Sequence, residues 1–330
     1  MTTLPLDAPY LSESEAEQVF SAILDGEVSD EEIEEFLIAL AARGETANEI
    51  AAAARAMRAR VIPVDAPANA VDCCGTGGDG QHTLNVSTAV SLVVAACGVP
   101  VAKHGNRAAS SKSGAADTLE VLGLDMDAVV RCAQKTLDEI GICFLFARVH
   151  HPALGRIAPI RVKIGSRTIF NLLGPLSNPA GVTRQLIGIA HPKFVPTYAE
   201  AKAKLDRSPS FIVSGDEGLD ELSLAGGNDL AMVDEGDYRM TRVDAGVAGL
   251  ANAPLEAIRG GDAAYNAAAL TRLLEGESGA YRDAVIFNAA ATLMVAGRCS
   301  NWNDGAALAA EAIDSLAAKN LLAKWIELTV

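Results

Sequence analysis

The run Gly75-Thr76-Gly77-Gly78-Asp79-Gly80 stands between a short apolar segment at 70–74 and an apolar helical stretch at 87–97. Glycines open backbone conformations closed to other residues and let main-chain N–H groups approach a ligand closely. Asn85-Val86-Ser87-Thr88 falls where that helix begins, so its free N–H groups and dipole favour an anion. Strand, glycine loop and helix start therefore predict a polyphosphate cradle. The charge pattern agrees: residues 80–116 contain no Asp or Glu, although the chain carries 42 acids against 27 Lys plus Arg. A second acid-free window, 141–199, holds Arg148, Arg156, Arg161, Lys163, Arg167, Arg184 and Lys193. Keeping acids out of two distant segments suits one negatively charged ligand held between them.

Gly75, Gly77 and Gly80 satisfy the spacing of a dinucleotide-binding loop. The next strand, expected at 99–102, argues against that fold, because it leads into Lys103-His104-Gly105 where an acid should meet ribose hydroxyls. A kinase-type phosphate loop is excluded because no Gly-Lys-Ser/Thr triplet occurs. Lys103 and Arg107, with Lys112, read as cations that neutralise a diphosphate from the side opposite the loop.

The first 60 residues predict three helices, each opened by a capping box: Ser12 with Glu15, Ser29 with Glu32, Thr46 with Glu49. Gly26 and Gly44 sit where helices end. Two prolines at 62–69 mark a hinge. Beyond it, strands expected at 70–74, 99–102, 142–146, 186–189 and 211–214 alternate with helices at 87–97, from Ser113, at 128–140 and at 284–296. That alternation predicts an α/β fold with a mainly parallel sheet. A formal charge of −15 opposes general affinity for nucleic acid or anionic membrane. Six cysteines without a C-x-x-C pair read as reduced core residues, and no leader pattern is visible, so a cytoplasmic protein is expected.

Taken together, several long motifs resemble the anthranilate phosphoribosyltransferase family over nearly the whole chain. They are the Gly75 to Gly80 loop, Asn85-Val86-Ser87-Thr88, Lys103-His104-Gly105-Asn106-Arg107, Ser111-Lys112-Ser113-Gly114 and His151-Pro152-Ala153. Further along come Arg167-Thr168-Ile169-Phe170-Asn171-Leu172-Leu173-Gly174-Pro175-Leu176, Asn178-Pro179, Gly218-Leu219-Asp220-Glu221 and Arg259-Gly260-Gly261-Asp262. The resemblance implies a small helical domain over 1–65, with part of about 161–180 returning to it, and a large α/β domain over 66–330. It implies a homodimer formed through the helical domain. It assigns phosphoribosyl pyrophosphate to Gly75, Gly78, Asp79, Thr83, Asn85, Val86, Ser87, Thr88, Lys103, His104, Gly105, Asn106, Arg107, Ala108, Ala109, Ser110, Ser111 and Ala115. Anthranilate falls to Gly75, Asn106, His151 and Arg161, and magnesium, two ions per subunit, to Ser87, Asp220 and Glu221; no acid or base is assigned.

Arg161 makes chemical sense as a two-pronged grip on a carboxylate, although alone it also reads as a helix-end arginine. Asp220 and Glu221 suit a hard cation beside a diphosphate, with Asp216 and Glu217 close enough in sequence to compete. Pyrimidine nucleoside phosphorylases share the domain plan but are disfavoured by Lys103 to Arg107 and the Asp220-Glu221 pair. A nucleic-acid-binding relative lacks its broad basic groove here. The chain departs from the family at Ala115, Arg148, Ser214 and Gly226-Gly227-Asn228-Asp229, which bears on local contacts and on the metal loop.

Overall fold

A computed structural model describes residues 4–108 and 112–329. Helices Glu13–Leu24, Asp30–Arg43 and Ala47–Arg58 start at Ser12, Ser29 and Thr46, and all three capping boxes form. Each cap hydroxyl accepts the amide three residues on at 3.3 Å, and that residue's glutamate accepts the cap amide. Gly26 and Gly44 adopt φ of 78° and 88°, which L side chains resist. The apolar stripes interlock Phe20, Ile33, Phe36, Leu37 and Leu40 in a core. Ile157 and Ile160 from helix Leu154–Ile164, with Phe170 of helix Phe170–Leu173 and the Ile169 that precedes it, join the same core. Arg156 pairs with Asp30 at 2.7 Å, and Arg167 with the buried Glu45 at 2.8 Å.

Strands β1 Val71–Gly75, β2 Val101–Gly105, β3 Ile142–Phe146, β4 Arg184–Gly188, β5 Ser210–Gly215, β6 Asn228–Asp234 and β7 Asp237–Val243 make one sheet, ordered β3-β2-β1-β4-β5-β6-β7. The first five run parallel and the last hairpin antiparallel. That hairpin escapes the sequence reading because β7 is an edge strand, largely exposed and without apolar alternation. The helix expected at 128–140 is two, Met126–Arg131 and Ala133–Ile140, meeting at Cys132. β2 corrects a further boundary: expected to stop at Ala102, it runs on through Lys103 and His104, whose register against Phe144 and Leu145 carries both side chains into the interior.

Helices Val86–Ala96 and Ala280–Val295 cover one face of the sheet. Helix Val195–Leu205 and the helical unit cover the other. Arg58 crosses from the helical unit to Asp206 in a two-pronged pair at 2.9 and 2.8 Å, and the fully buried Lys202 bonds the same carboxylate at 2.7 Å. At the hinge, Ile62 and His150 exchange two bonds, backbone N–H to carbonyl and ring Nδ1–H to carbonyl, each 2.8 Å. β1, β2, β4 and β5 all end in glycine. The order reverses between β1 and β4, and the crevice beyond strand ends at such a point is where α/β sheets take ligands.

Candidate active site

Gly77, Gly78 and Gly80 have φ of 70°, 76° and 70°, so the loop after β1 needs glycine at each. The chain around Asp220 lies across the ends of β1 and β4 so closely that a Cβ on Gly75 would strike its carboxylate, and one on Gly188 its backbone. Asp220 accepts the Gly77 N–H at 2.7 Å. Glu221 Oε1 accepts the Ser87 N–H at 2.9 Å, while its Oε2 is buried without a partner. Burial, then the neighbouring Asp79 carboxylate, pushes the Asp220 pKa up to about 7. Burial and Asp220 raise Glu221 well above the usual range. Two partly buried carboxylates, one with an oxygen that no described residue engages, make a site short of positive charge.

Asp216 and Glu217 are committed elsewhere. Asp216 pairs with Arg242 at 2.7 Å, and Glu217 takes the Ser223 hydroxyl. Asn228, a departure from the family pattern, braces this loop by accepting the Ser223 N–H at 2.7 Å and returning a bond to the Ser223 carbonyl at 3.0 Å. Ser214, another departure, donates to the Ile189 carbonyl at 2.6 Å. Among the described residues no three His, Cys, Asp or Glu side chains gather to hold a metal unaided. Asp220, Glu221 Oε2 and the Ser87 hydroxyl nevertheless form an all-oxygen set that fits magnesium once a ligand adds its own oxygens.

The helix start differs from expectation in its amides. The Val86 N–H bonds the Leu84 carbonyl at 2.8 Å and the Ser87 N–H is taken by Glu221, because a protein carboxylate already sits at the positive end of this dipole. Asn85 does not cap the helix with its side chain. Its Oδ1 instead accepts from Thr118 at 2.6 Å and Asn266 at 2.9 Å, fixing the loop against two helices. The Thr88 hydroxyl is buried without a partner among the described residues, and Thr83 pairs with Arg259 in an isolated bridge.

Lys103 lies beneath the glycine loop, 2% exposed, and donates to the Cys73 carbonyl at 2.9 Å. Its charge offsets Asp72 and Glu221, so it supports the cradle from below. Arg107 turns outward onto Glu120, at 2.5 and 2.6 Å, and Asp117, at 3.0 Å. Asp117, the acid that ends the first acid-free window, accepts the Ala108 and Gly114 N–H groups, each at 2.9 Å, and so ties the two sides of the loop together. Ala109, Ser110 and Ser111 lie outside the described residues. Gly105 leaves room for the Phe144 ring, and Ala115 opens the next helix.

On the other side, His104 and His151 are buried with Nε2 atoms 3.1 Å apart, and His104 Nδ1 lies 3.0 Å from the Gly174 carbonyl. Burial, then His151, pushes His104 down to about 3, and burial, then His150, pushes His151 down to about 4, so both are neutral at pH 7. Arg161 is half-buried with no hydrogen-bond or ion-pair partner among the described residues, and burial alone lowers its pKa. Asn106 is exposed at the end of β2. Arg148 is exposed.

Sequence reasoning missed Asp72. It is fully buried and accepts from Asn178 at 2.8 Å and from the His104 N–H at 3.2 Å, which locks β2 onto β1. A lone acid in the apolar strand Val71–Gly75 was the available signal. Gly188 was missed as well, since nothing beside it announces the distant segment that crosses it.

This pairing of an α/β sheet and glycine loop with a helical unit is that of the glycosyl transferase family, whose models match both parts. The family's helical bundle domain matches residues 6–61 and its a/b domain residues 67–319. The anthranilate phosphoribosyltransferase of Erythrobacter litoralis is 71% identical over 330 residues, all of both chains. The Thermus thermophilus enzyme of that name superposes with a TM-score of 0.92 at 43% identity, over 97% of this chain and 96% of that one. The Saccharomyces cerevisiae enzyme in complex with phosphoribosyl pyrophosphate and magnesium gives 0.87 at 30%, over 97% and 93%. In complex with 4-fluoroanthranilate it gives 0.86 at 28%, over the same shares. The chain belongs to the anthranilate phosphoribosyltransferase family.

Proposed function

We propose that the protein transfers the phosphoribosyl group of phosphoribosyl pyrophosphate to the amino nitrogen of anthranilate, a step of tryptophan biosynthesis, releasing pyrophosphate. Arg161 carries the choice of acceptor: a half-buried guanidinium without a carboxylate partner is matched by the carboxylate of an aminobenzoate. The domains divide as 1–65, with part of about 161–180, and 66–330. The chain acts in the cytoplasm as a homodimer through its helical unit.

As the bond from C1 to pyrophosphate lengthens, negative charge grows on the leaving group and the ribose becomes cationic. Donors set in advance around the diphosphate stabilise that state more than the ground state. Gly75, Gly78, Asp79, Thr83, Asn85, Thr88, the segment 105–108 and Ala115 hold the donor substrate. Lys103 raises the potential from beneath, and the Arg107 pair keeps its loop in place. Ser87, Asp220 and Glu221 hold magnesium, two ions per subunit, which when bound sets positive charge against the departing pyrophosphate. Gly75, Asn106, His151 and Arg161 position the neutral amine, which attacks without prior deprotonation and gives up its extra proton to solvent once the C1–N bond has formed and pyrophosphate has left.

The test is incubation with phosphoribosyl pyrophosphate, magnesium and anthranilate, following anthranilate fluorescence. The reading expects fluorescence to fall with one pyrophosphate released per anthranilate consumed. No fall, together with phosphorolysis of uridine or thymidine, replaces it with a nucleoside phosphorylase.

A further inference from the structure

The bonds among His104, His151 and Gly174 determine where their protons lie. A carbonyl only accepts, so the Gly174 oxygen 3.0 Å from His104 Nδ1 places a proton on that nitrogen. Neutral His104 then carries a bare lone pair on Nε2. The 3.1 Å contact between the two Nε2 atoms requires one donor, and that donor is His151. His151 is thereby left with an unprotonated Nδ1, an atom that no described residue engages. Just after it the chain enters helix Leu154–Ile164, which carries the unpaired Arg161. Arg161 thus lies on the helix that opens three residues after His151.

We propose that His104 is a positioning residue rather than a phosphate ligand. It acts through His151, holding it in the Nε2–H tautomer so that Nδ1 accepts an N–H of the substrate's aromatic amine and turns the nitrogen lone pair toward the ribose carbon. The kinetic half of this inference rests on the aminobenzoate reading above; the tautomer half stands on the ligand-free protein.

Two-dimensional proton–nitrogen NMR of the histidine rings in the unliganded protein tests the tautomer half. His151 is expected to show a protonated Nε2 and a bare Nδ1, and His104 the reverse. The opposite pattern on His151 overturns the proposal whatever the substrate is. Kinetics test the other half. His104→Gln supplies an amide oxygen in place of Nε2 and is expected to keep kcat/KM for the amine within about threefold. His104→Leu leaves the His151 N–H unpaired and is expected to lose about 10–100-fold in that constant, with KM for the phosphoribosyl donor unchanged. Equal losses in the two variants, or a loss borne by the donor's KM, overturn it. If His104→Leu does not fold, the wild-type spectrum and the glutamine variant still decide.

Discussion

Lowering the pH should destabilise this protein through two identified side chains. His104 and His151 are buried, with pKa values pushed down to about 3 and about 4 from an ordinary 6.5. In the unfolded chain both take up protons near 6.5; in the folded protein they resist. A depressed folded-state pKa contributes stability that is present above the unfolded value and lost as pH falls below it. Near pH 5 both folded-state values still lie below the ambient pH, so the loss is set by the unfolded side, about 1.5 pH units at 1.36 kcal/mol each. That is about 2 kcal/mol per histidine and about 4 kcal/mol for the pair, relative to pH 8. Urea unfolding at the two pH values measures it. A His104→Gln, His151→Gln double variant removes both titrating groups, so its stability should change by about 4 kcal/mol less than the wild type's between pH 8 and 5. The same pH dependence in both proteins would refute the assignment of buried neutral histidines.

Arg161→Ala should lower kcat/KM for anthranilate by roughly 10–150-fold, the value of a charge-assisted bond, and leave binding of phosphoribosyl pyrophosphate unchanged by calorimetry; equal defects for both substrates would count against it. Asp220→Asn with Glu221→Gln should raise the magnesium needed for half-maximal activity, while Asp216→Asn with Glu217→Gln should shift it less, and the reverse ranking would move the metal to the other pair. Asp206→Asn strips the buried Lys202 and Arg58 of their shared partner and should cost about 3–5 kcal/mol in urea unfolding. Adding Lys202→Met to that variant should recover part of the loss, and a cost below about 1 kcal/mol would show that the cluster does not brace the two units.

Local chemistry was open to inspection in the chain itself. Ser12 with Glu15, Ser29 with Glu32 and Thr46 with Glu49 close bonds over three residues, so their spacing alone announced three helix starts. The glycine loop was equally legible, because only glycine fits left-handed backbone there. Long motifs such as Gly218 to Glu221 pointed to the acids, but not to where they would lie. Asp220 meets Gly77 across 143 residues of chain and Glu221 meets Ser87 across 134. His104 reaches Gly174 across 70 and His151 across 47. Contacts of that separation depend on strand order, since the segment after β5 crosses Gly75 and Gly188 only because β4 lies between β1 and β5. Burial has the same origin: Lys103 reads in sequence as a phosphate-facing cation, and three further residues of strand pairing make it the buried counter-charge of Asp72 and Glu221. Charge and capping are written residue by residue, whereas proton positions and the direction a side chain faces follow from neighbours that only the folded sheet brings together.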